Sequence, residues 1–365
     1  MKHKSRTLLI SILLFIFALN IIPSVLGKTR GSYLTNFVLN NEIDGEGFSN
    51  NIFPNEPVVS YEATSNAIEI LDNYGINPNN IETLIDKLEE DINDLLDDKN
   101  PNLYDLFYLL NSLKSLDPDI DSSISDEIGK YLNNTKQITG GFSYSNKTKA
   151  VSLASTYFSI QISSLIEKPL GNITIHKNWV LSCYNSDGGY GSNQSLSSTL
   201  VDTCFAVFIL DELGEIGALN SVIKTLDYIQ SFYILDSADQ NNYGGYIPEE
   251  YSQYTLLSST YYSVKAVSLI DDSKLFKATI RNWVLAHQNF RDGGFVDNTE
   301  GYQEKISSVV SSYYAFETLK ILDSLSSLFS EIWTVEFNYW ILIIVLSSIG
   351  IIIVVAIILY KRTRI

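Results

Sequence analysis

The chain has 365 residues and is acidic, with 42 Asp and Glu against 25 Lys and Arg and a formal net charge of −17 at pH 7. A surface of that charge repels phosphate backbones, so we expect no nucleic-acid partner. The two cysteines, Cys183 and Cys204, are too few for a disulfide scaffold. They flank a single turn, and the sequence leaves open whether they pair.

The first 27 residues have the pattern of a signal peptide. Three basic residues precede an apolar run from 8 to 19, and Val25 and Gly27 stand at the −3 and −1 positions of a cut before Lys28. We expect residues 1–27 to direct export and to be removed. The alternative is an anchor helix that is not cleaved.

Residues 339–360 have the pattern of a transmembrane helix. No residue from Asn338 to Tyr360 is charged, and about 20 apolar residues are enough to cross the core of a bilayer. Tyr339 and Trp340 stand where aromatic residues are enriched at the membrane surface. The sequence therefore predicts one C-terminal membrane span that anchors the chain in the lipid bilayer.

The orientation of that span follows from the basic residues behind it. Residues 361–365 carry three of them, which by the positive-inside rule makes this segment a cytoplasmic tail. We expect a single-pass protein of the cell membrane whose bulk, residues 28–323, lies outside the cytoplasm. Residues 324–338 would form a short juxtamembrane linker.

The exported part repeats one helix–turn–helix pattern. In residues 178–213, apolar residues at helical spacing lie on both sides of Gly188 and Gly189. Glycine ends a helix readily because it adopts positive-φ conformations that other residues resist. The same order of features returns in residues 282–322.

Six such units can be laid out along the chain. The first glycines of four pairs, at Gly140, Gly188, Gly244 and Gly293, lie roughly 50 residues apart. The second unit, 79–117, has two helical stretches and no glycine pair. Hairpins that repeat at this period bury their faces on one another. We therefore predict an all-α fold of six helical hairpins, either stacked openly or closed into a ring.

Two local features concern the ends of helices. Pro101 is expected to open the second helix of the second unit, because proline is tolerated in a first helical turn. The segment DPDID covers residues 117–121 and is followed by Ser122. We expect Asp121 or Ser122 to cap the helix that follows.

These repeats resemble those of protein prenyltransferase β subunits and of the squalene and terpene cyclases. WVLSCYNSDGGYG and WVLAHQNFRDGGF are close to the family's pattern, and NNYGGY and ITGGF are looser matches. The resemblance covers about residues 31–323 and implies an α/α toroid, which we assign to residues 28–323. One fold hosts many activities, so the resemblance alone does not assign a function.

By that resemblance, Asp202 and Cys204 occupy the Asp-x-Cys positions that hold zinc in protein prenyltransferases. Zinc there binds a substrate thiol as the thiolate. The family's third ligand is a histidine, and its position here holds Ser259 or Ser311.

The cations that bind a prenyl diphosphate in the family are missing as well. Their positions hold Leu196 and Thr199, which cannot neutralise a diphosphate. We expect no zinc and no other cofactor. Asp202 and Cys204 are either an incomplete metal or thiol site or, as we favour, a first-turn carboxylate and a small buried cysteine.

Three tyrosines, Tyr157, Tyr261 and Tyr313, take the position of Cys204 in their own units. In a toroid they would face the central funnel, where they could stack on an apolar or sugar-bearing ligand. Core packing between helices is the alternative, since aromatic residues at helical spacing are usually buried.

Four N-x-S/T sequons lie in the exported part, at Asn133, Asn146, Asn172 and Asn193. They are candidate glycosylation sites. A chain this rich in Asn and Ser can also contain such sequons by chance.

Two functional hypotheses follow. In the first, the toroid is a membrane-anchored binding or interaction module for an apolar or amphipathic small ligand or a surface protein. In the second, it is a prenyltransferase- or cyclase-type enzyme that acts on an isoprenoid or lipid-linked substrate. The missing cations and histidine favour the first.

Overall fold

The computed structural model describes residues 28–51, 57–98, 101–298 and 306–332, together with Ser347. The predicted signal peptide, the predicted membrane span except Ser347, and the tail lie outside the described residues. Among the residues that are described, no helix is both long and apolar enough to cross a membrane.

Twelve α-helices lie in the described part of the chain, and they alternate along it between an outer position and an inner position in the fold. Their bounds are α1 (Arg30–Asn40), α2 (Tyr61–Asn73), α3 (Ile81–Asp97), α4 (Leu103–Leu116), α5 (Ser122–Thr135), α6 (Leu153–Leu165), α7 (Ile173–Ser182), α8 (Leu200–Glu212), α9 (Val222–Gln230), α10 (Leu257–Asp271), α11 (Lys277–Ala286) and α12 (Val309–Ile321). Short 3-10 segments follow α8, α10 and α12.

Residues 31–329 form one compact unit, in which the even-numbered helices make a closed inner ring. Each contacts the next along the chain, and α12 returns to α2. Helices α3, α5, α7, α9 and α11 pack on neighbouring members of that ring. The predicted six-hairpin α/α toroid is therefore confirmed, and the hairpins close into a ring.

Burial differs between the two sets of helices as their sequences predict. Helix α3 buries one stripe, at Leu84, Leu88 and Ile92, and exposes acidic residues elsewhere. Helix α8 buries every residue from Thr203 to Leu210. A helix that is apolar around its circumference must be covered on several sides, as it is within a ring.

Short antiparallel strands close two of the turns. Strand β2 (Glu42–Ile43) pairs with β3 (Gly47–Phe48), and β4 (Tyr190–Gly191) pairs with β5 (Ser198–Thr199). The described residues 28–30 and 330–332 belong to a second unit. In it, β1 (Lys28–Thr29) pairs antiparallel with β6 (Glu331–Ile332).

One hydrogen bond recurs in five of the six hairpins. The N–H of the aromatic residue after the turn glycine donates to a hydroxyl on the fourth residue of the inner helix, at 2.9 to 3.0 Å. The pairs are Phe48 with Thr64, Phe142 with Thr156, Tyr190 with Thr203, Tyr246 with Thr260, and Phe295 with Ser312. These aromatic side chains are almost fully buried. We call this bond the turn clamp.

Glycine is required where the turn meets the next outer helix. Gly188 has φ +100°, and a Cβ at this position would collide with the carbonyl of Lys224 in α9. Gly189 lies beside Ser198 and Tyr228 with no room for a side chain. The glycine pair therefore allows the close approach of turn and helix. It does not end α7 as the sequence suggested, because α7 stops at Ser182 and is capped at Cys183.

The ring is closed by the two ends of the unit. The N–H groups of Val309 and Val310, at the start of α12, donate to the backbone and side-chain oxygens of Asn50, at 2.8 and 3.1 Å. Leu153 and Leu257 donate in the same way to the loop of the next hairpin. The closing contact thus repeats the contact between successive hairpins.

Two local expectations and one open question have clear outcomes. The prediction that Pro101 opens a helix is wrong, because α4 begins at Leu103 and Asn102 caps it by accepting from the N–H of Tyr104. The capping role of Asp121 is confirmed by its hydrogen bond from the N–H of Ser123. Both cysteines are free thiols and are buried.

The turn clamp predicts a specific loss of stability. Thr203→Val keeps the shape of the side chain but leaves the buried N–H of Tyr190 without an acceptor. We expect the free energy of unfolding to fall by about 1 to 3 kcal/mol, measured by chemical denaturation. Thr83→Val, at an exposed position in the first turn of α3, is the matched control. Equal stability of the two variants would contradict the role of the clamp.

Candidate functional site

Two cavities open in the middle of the inner ring. The tyrosine cavity, of about 200 Å³, is lined by Tyr157, Tyr261 and Tyr313 among others. The first-turn cavity, of about 560 Å³, is lined mainly by residues at the beginnings of α2, α4 and α6. Four residues line both cavities and therefore form the wall between them: Glu62, Tyr108, Phe158 and Tyr262.

The structure brings the three predicted tyrosines together at one cavity. Tyr261 stacks on Tyr314 with ring centroids 5.3 Å apart, and its centroid lies 6.1 Å from that of Tyr313. Tyr157 packs on Phe205, with a centroid distance of 5.2 Å. The same rings therefore line the cavity and pack against neighbouring inner helices.

Glu62 is part of the wall between the cavities. Its Oε1 accepts hydrogen bonds from the hydroxyl groups of Tyr108, at 3.0 Å, and Tyr314, at 3.3 Å. Burial raises the pKa of Glu62, and these two hydroxyls lower it in part. The pKa values of both tyrosines are raised, chiefly by burial, so the tyrosines remain donors.

One cation lines the tyrosine cavity among the described residues, and that is Lys265. Its Nζ lies 4.9 Å from the ring centroid of Phe208 and 5.9 Å from that of Tyr261. Nearby Glu317 has a raised pKa because it is buried, although its ion pair with Lys320 at 2.8 Å acts in the opposite direction.

Polar side chains occupy another part of the same cavity. The Nδ2 of Asn111 donates to Ser65 at 2.9 Å and to Glu69 at 2.6 Å. The Nε2 of Gln161 is buried and has no hydrogen-bond partner in the described part of the protein. A buried donor without a partner is uncommon in native proteins, so this nitrogen would satisfy an acceptor group placed in the cavity.

Asp202 and Cys204 take the positions expected of residues at the start of an inner helix. The hydroxyl of Thr199 donates to the carboxylate of Asp202 at 2.7 Å and accepts from the N–H of Asp202 at 3.0 Å. Cys204 is fully buried, and burial raises the pKa of its thiol. Asp202 and Cys204 are therefore engaged as a helix-start residue and a core residue.

The described residues contain no group of three His, Cys, Asp or Glu side chains placed to hold a metal. Ser259 and Ser311, which stand in place of the family's histidine, are buried. Ser311 is engaged in capping α12 through Ser308. Thr199 caps α8, and Leu196 is about half exposed in the preceding turn.

Two residues of this site were missed by reasoning from the sequence although a signal existed. Lys265 follows Tyr261 by four residues, and Gln161 follows Tyr157 by four. Residues four apart share one face of a helix, so once the tyrosines were placed in the lumen these two belonged there as well. Glu62 had no such signal, because its helix lacks the aromatic pair that four of the other inner helices carry.

The four sequons lie in different settings. Asn133 and Asn146 are exposed. The side chain of Asn172 caps α7 by accepting from the N–H of Thr174. The side chain of Asn193 accepts from the N–H and hydroxyl of Ser195 at 3.0 and 2.8 Å.

Comparison with solved structures gives the same architecture. Protein geranylgeranyltransferase-I from Candida albicans, complexed with GGPP, has a TM-score of 0.56 at 16% identity, covering 74% of this chain and 86% of that one. The type II terpene cyclase MstE from Scytonema has a TM-score of 0.53 at 10% identity, covering 82% and 97%. A protein from Actinoplanes has a TM-score of 0.51 at 11% identity, covering 82% and 98%.

At these identities the solved structures show a shared fold. No curated protein sequence matches the chain significantly. The sequence does match the profile of a domain family over residues 79–238 and 233–341. Together with the closed ring of six hairpins, this match shows that the chain belongs to the prenyltransferase alpha-alpha toroid domain family.

Proposed function

We propose that the toroid is a binding module that takes an uncharged apolar or amphipathic ligand into the tyrosine cavity. The observation that carries the proposal is the composition of that cavity. Aromatic rings surround it, the carboxylates of Glu62 and Glu69 line it, and Lys265 is the one cation among the described lining residues.

A diphosphate fits this cavity poorly. Its charge needs several cations or preorganised donors, whereas Lys265 shares the cavity with two carboxylates and lies near a third, Glu317. A neutral ligand is not repelled by these carboxylates, and contact with the aromatic rings stabilises its binding.

The size and polarity of the cavity suggest a short amphipathic molecule. Its volume of about 200 Å³ is below the usual 300 to 1,000 Å³ of ligand pockets. The unpaired nitrogen of Gln161 offers a hydrogen bond to a hydroxyl or carbonyl at the polar end of a ligand. A short neutral prenol has both the apolar chain and the polar end.

The proposal includes the topology predicted from the sequence. Export through residues 1–27 and a span at 339–360 would hold the toroid outside the cytoplasm, next to the lipids from which an amphipathic ligand could be drawn. The proposal includes neither zinc nor another cofactor, because Asp202 and Cys204 are engaged as helix-start and core residues. A surface protein remains the other class of partner for such a module.

A second candidate is a cyclase-type enzyme that acts on an isoprenoid. One observation favours it: Glu62 is a buried carboxyl in an aromatic setting, and its pKa is raised by burial. A raised pKa favours the protonated form, which can act as a general acid. Two of the similar structures are of a protein geranylgeranyltransferase and a terpene cyclase.

The binding proposal predicts selectivity between two related ligands. Titration with geraniol should show saturable binding, and geranyl diphosphate should bind more weakly because of the carboxylates. Tyr261→Ala should weaken geraniol binding by about 1 kcal/mol or more, since the variant removes a buried aromatic contact.

Tyr251→Ala is the matched control for this titration, because Tyr251 is 89% exposed. Tighter binding of the diphosphate than of the alcohol would refute the proposal. So would unchanged binding in Tyr157→Ala, Tyr261→Ala and Tyr313→Ala alike, which would leave the three tyrosines as packing residues.

The enzyme candidate makes a different prediction. Incubation with linear isoprenoid alcohols should yield cyclic isomers, detected by gas chromatography and mass spectrometry. Glu62→Gln should abolish their formation because the amide cannot donate a proton, whereas Glu82→Gln, at an exposed first-turn position of α3, should have no effect. Absence of cyclic products from the wild-type protein would remove this candidate.

The proposed topology is tested on intact cells. Added protease should digest the bulk of the chain while an epitope fused after residue 365 stays protected. The reverse pattern, with a protected bulk and an epitope labelled from outside, would mean that the orientation is inverted.

A further inference from the structure

The first-turn cavity is larger than the tyrosine cavity and has a different chemistry. Its volume is about 560 Å³, and six aromatic residues line it: Tyr61, Tyr104, Tyr108, Phe158, Phe205 and Tyr262. They come from five of the six inner helices and so surround the space on several sides. Tyr104 and Phe158 are in edge contact, with centroids 4.7 Å apart, which holds these two rings in place.

The charged residues that line this cavity are acidic. Glu62 and Asp105 contribute carboxyl groups, and no lysine or arginine from the described ranges lines the cavity. Two further carboxylates lie close to the aromatic residues that line it. Burial raises the pKa of Tyr61, and Asp91 raises it further. Burial also raises the pKa of Tyr104, followed by smaller effects of Tyr144 and then Asp202.

The nearest basic residue on α3 is already engaged. Lys87 forms ion pairs with Glu90 at 3.1 Å and Asp91 at 2.9 Å. It therefore offsets part of the charge of Asp91 and leaves Glu62 and Asp105 without a basic partner in the described structure.

The helix dipoles act against this negative charge but do not cancel it. The N-terminus of a helix carries roughly half a positive charge, so α2 and α4 together contribute about one positive charge against the two carboxylates they present. The amide groups at these ends are also partly used, because Ser60 accepts from the N–H of Ala63 and Asn102 from that of Tyr104. An anion would gain little here, and the cavity remains suited to a cation.

We propose that the first-turn cavity is a binding site for the ammonium group of an organic cation. Aromatic rings attract a cation held within about 6 Å of their centroids, and quaternary ammonium groups are commonly bound in cages of such rings. The ionised carboxyl groups of Asp105 and Glu62 supply the opposite charge at two points of the wall, although burial raises the pKa of both. The acidic surface of the whole chain, at −17, raises the local concentration of cations at the opening.

This site is independent of the proposed function. Tyr157, Tyr261 and Tyr313 do not line the first-turn cavity, and the wall of Glu62, Tyr108, Phe158 and Tyr262 separates it from the tyrosine cavity. Binding at one site can therefore be lost while binding at the other persists.

The test is a calorimetric titration of the full-length protein with choline at constant ionic strength. The comparison ligand is 3,3-dimethylbutan-1-ol, which has the same shape and no charge. We expect choline to bind in the millimolar range and the neutral compound to bind at least about fivefold more weakly, within the range measured for cation–π contacts. Equal affinities, or no binding of choline, would overturn the proposal.

Two variants test whether choline binds in this cavity. Asp105→Asn removes one carboxylate and Tyr104→Leu removes one ring, and each should weaken choline binding at least about threefold. Glu82→Gln removes an exposed first-turn carboxylate of α3 and should leave choline binding unchanged. If both Asp105→Asn and Tyr104→Leu retain wild-type affinity while folded by circular dichroism, choline binds elsewhere and the proposal is wrong.

Discussion

The structure depends on one repeated hydrogen bond, the turn clamp between an aromatic N–H and a hydroxyl on the fourth residue of an inner helix. The bond fixes where each turn meets its helix, and the buried aromatic ring beside it then fills the space between hairpins. The glycine pair permits this arrangement by letting the turn approach the next outer helix without a side chain between them. Removing the hydroxyl would leave a buried N–H group unpaired. Replacing a glycine of the pair by a larger residue would block the close approach of turn and helix.

The inner helices have two roles in this fold. They contact one another around the closed ring, and they also turn large aromatic residues toward the lumen. Those residues divide the lumen into two cavities of unlike chemistry. One contains Lys265, Asn111 and Gln161 among its rings, and the other has only carboxyl groups as its charged residues in the described structure.

Much of the fold could be predicted from the sequence, and the reason is the repeat. The glycine pairs located the turns, helical spacing located both helices of each hairpin, and even the glycine-free second unit was placed through its apolar pattern. Closure into a ring was not settled by periodicity, because an open stack buries the same faces. The site was predicted in part: three tyrosines were placed in the lumen by their register. Glu62 was missed because its hydrogen-bond donors, Tyr108 and Tyr314, lie on other helices. The sequence pattern of a single helix does not indicate contacts of this kind between helices.

The contact that closes the ring has a consequence for biosynthesis. Asn50 lies in the first hairpin, and its partners Val309 and Val310 open the last inner helix. Asn50 and Val310 lie 260 residues apart in the sequence. A contact over such a separation forms slowly, because the chain must lose the entropy of bringing its ends together before the contact stabilises it. Until α12 has been made, the exposed side of α2 has no partner, and a growing chain presents an apolar surface there. Folding of this toroid is therefore completed only after synthesis of the last hairpin, and a chain cut short before α12 would present two open edges prone to aggregation.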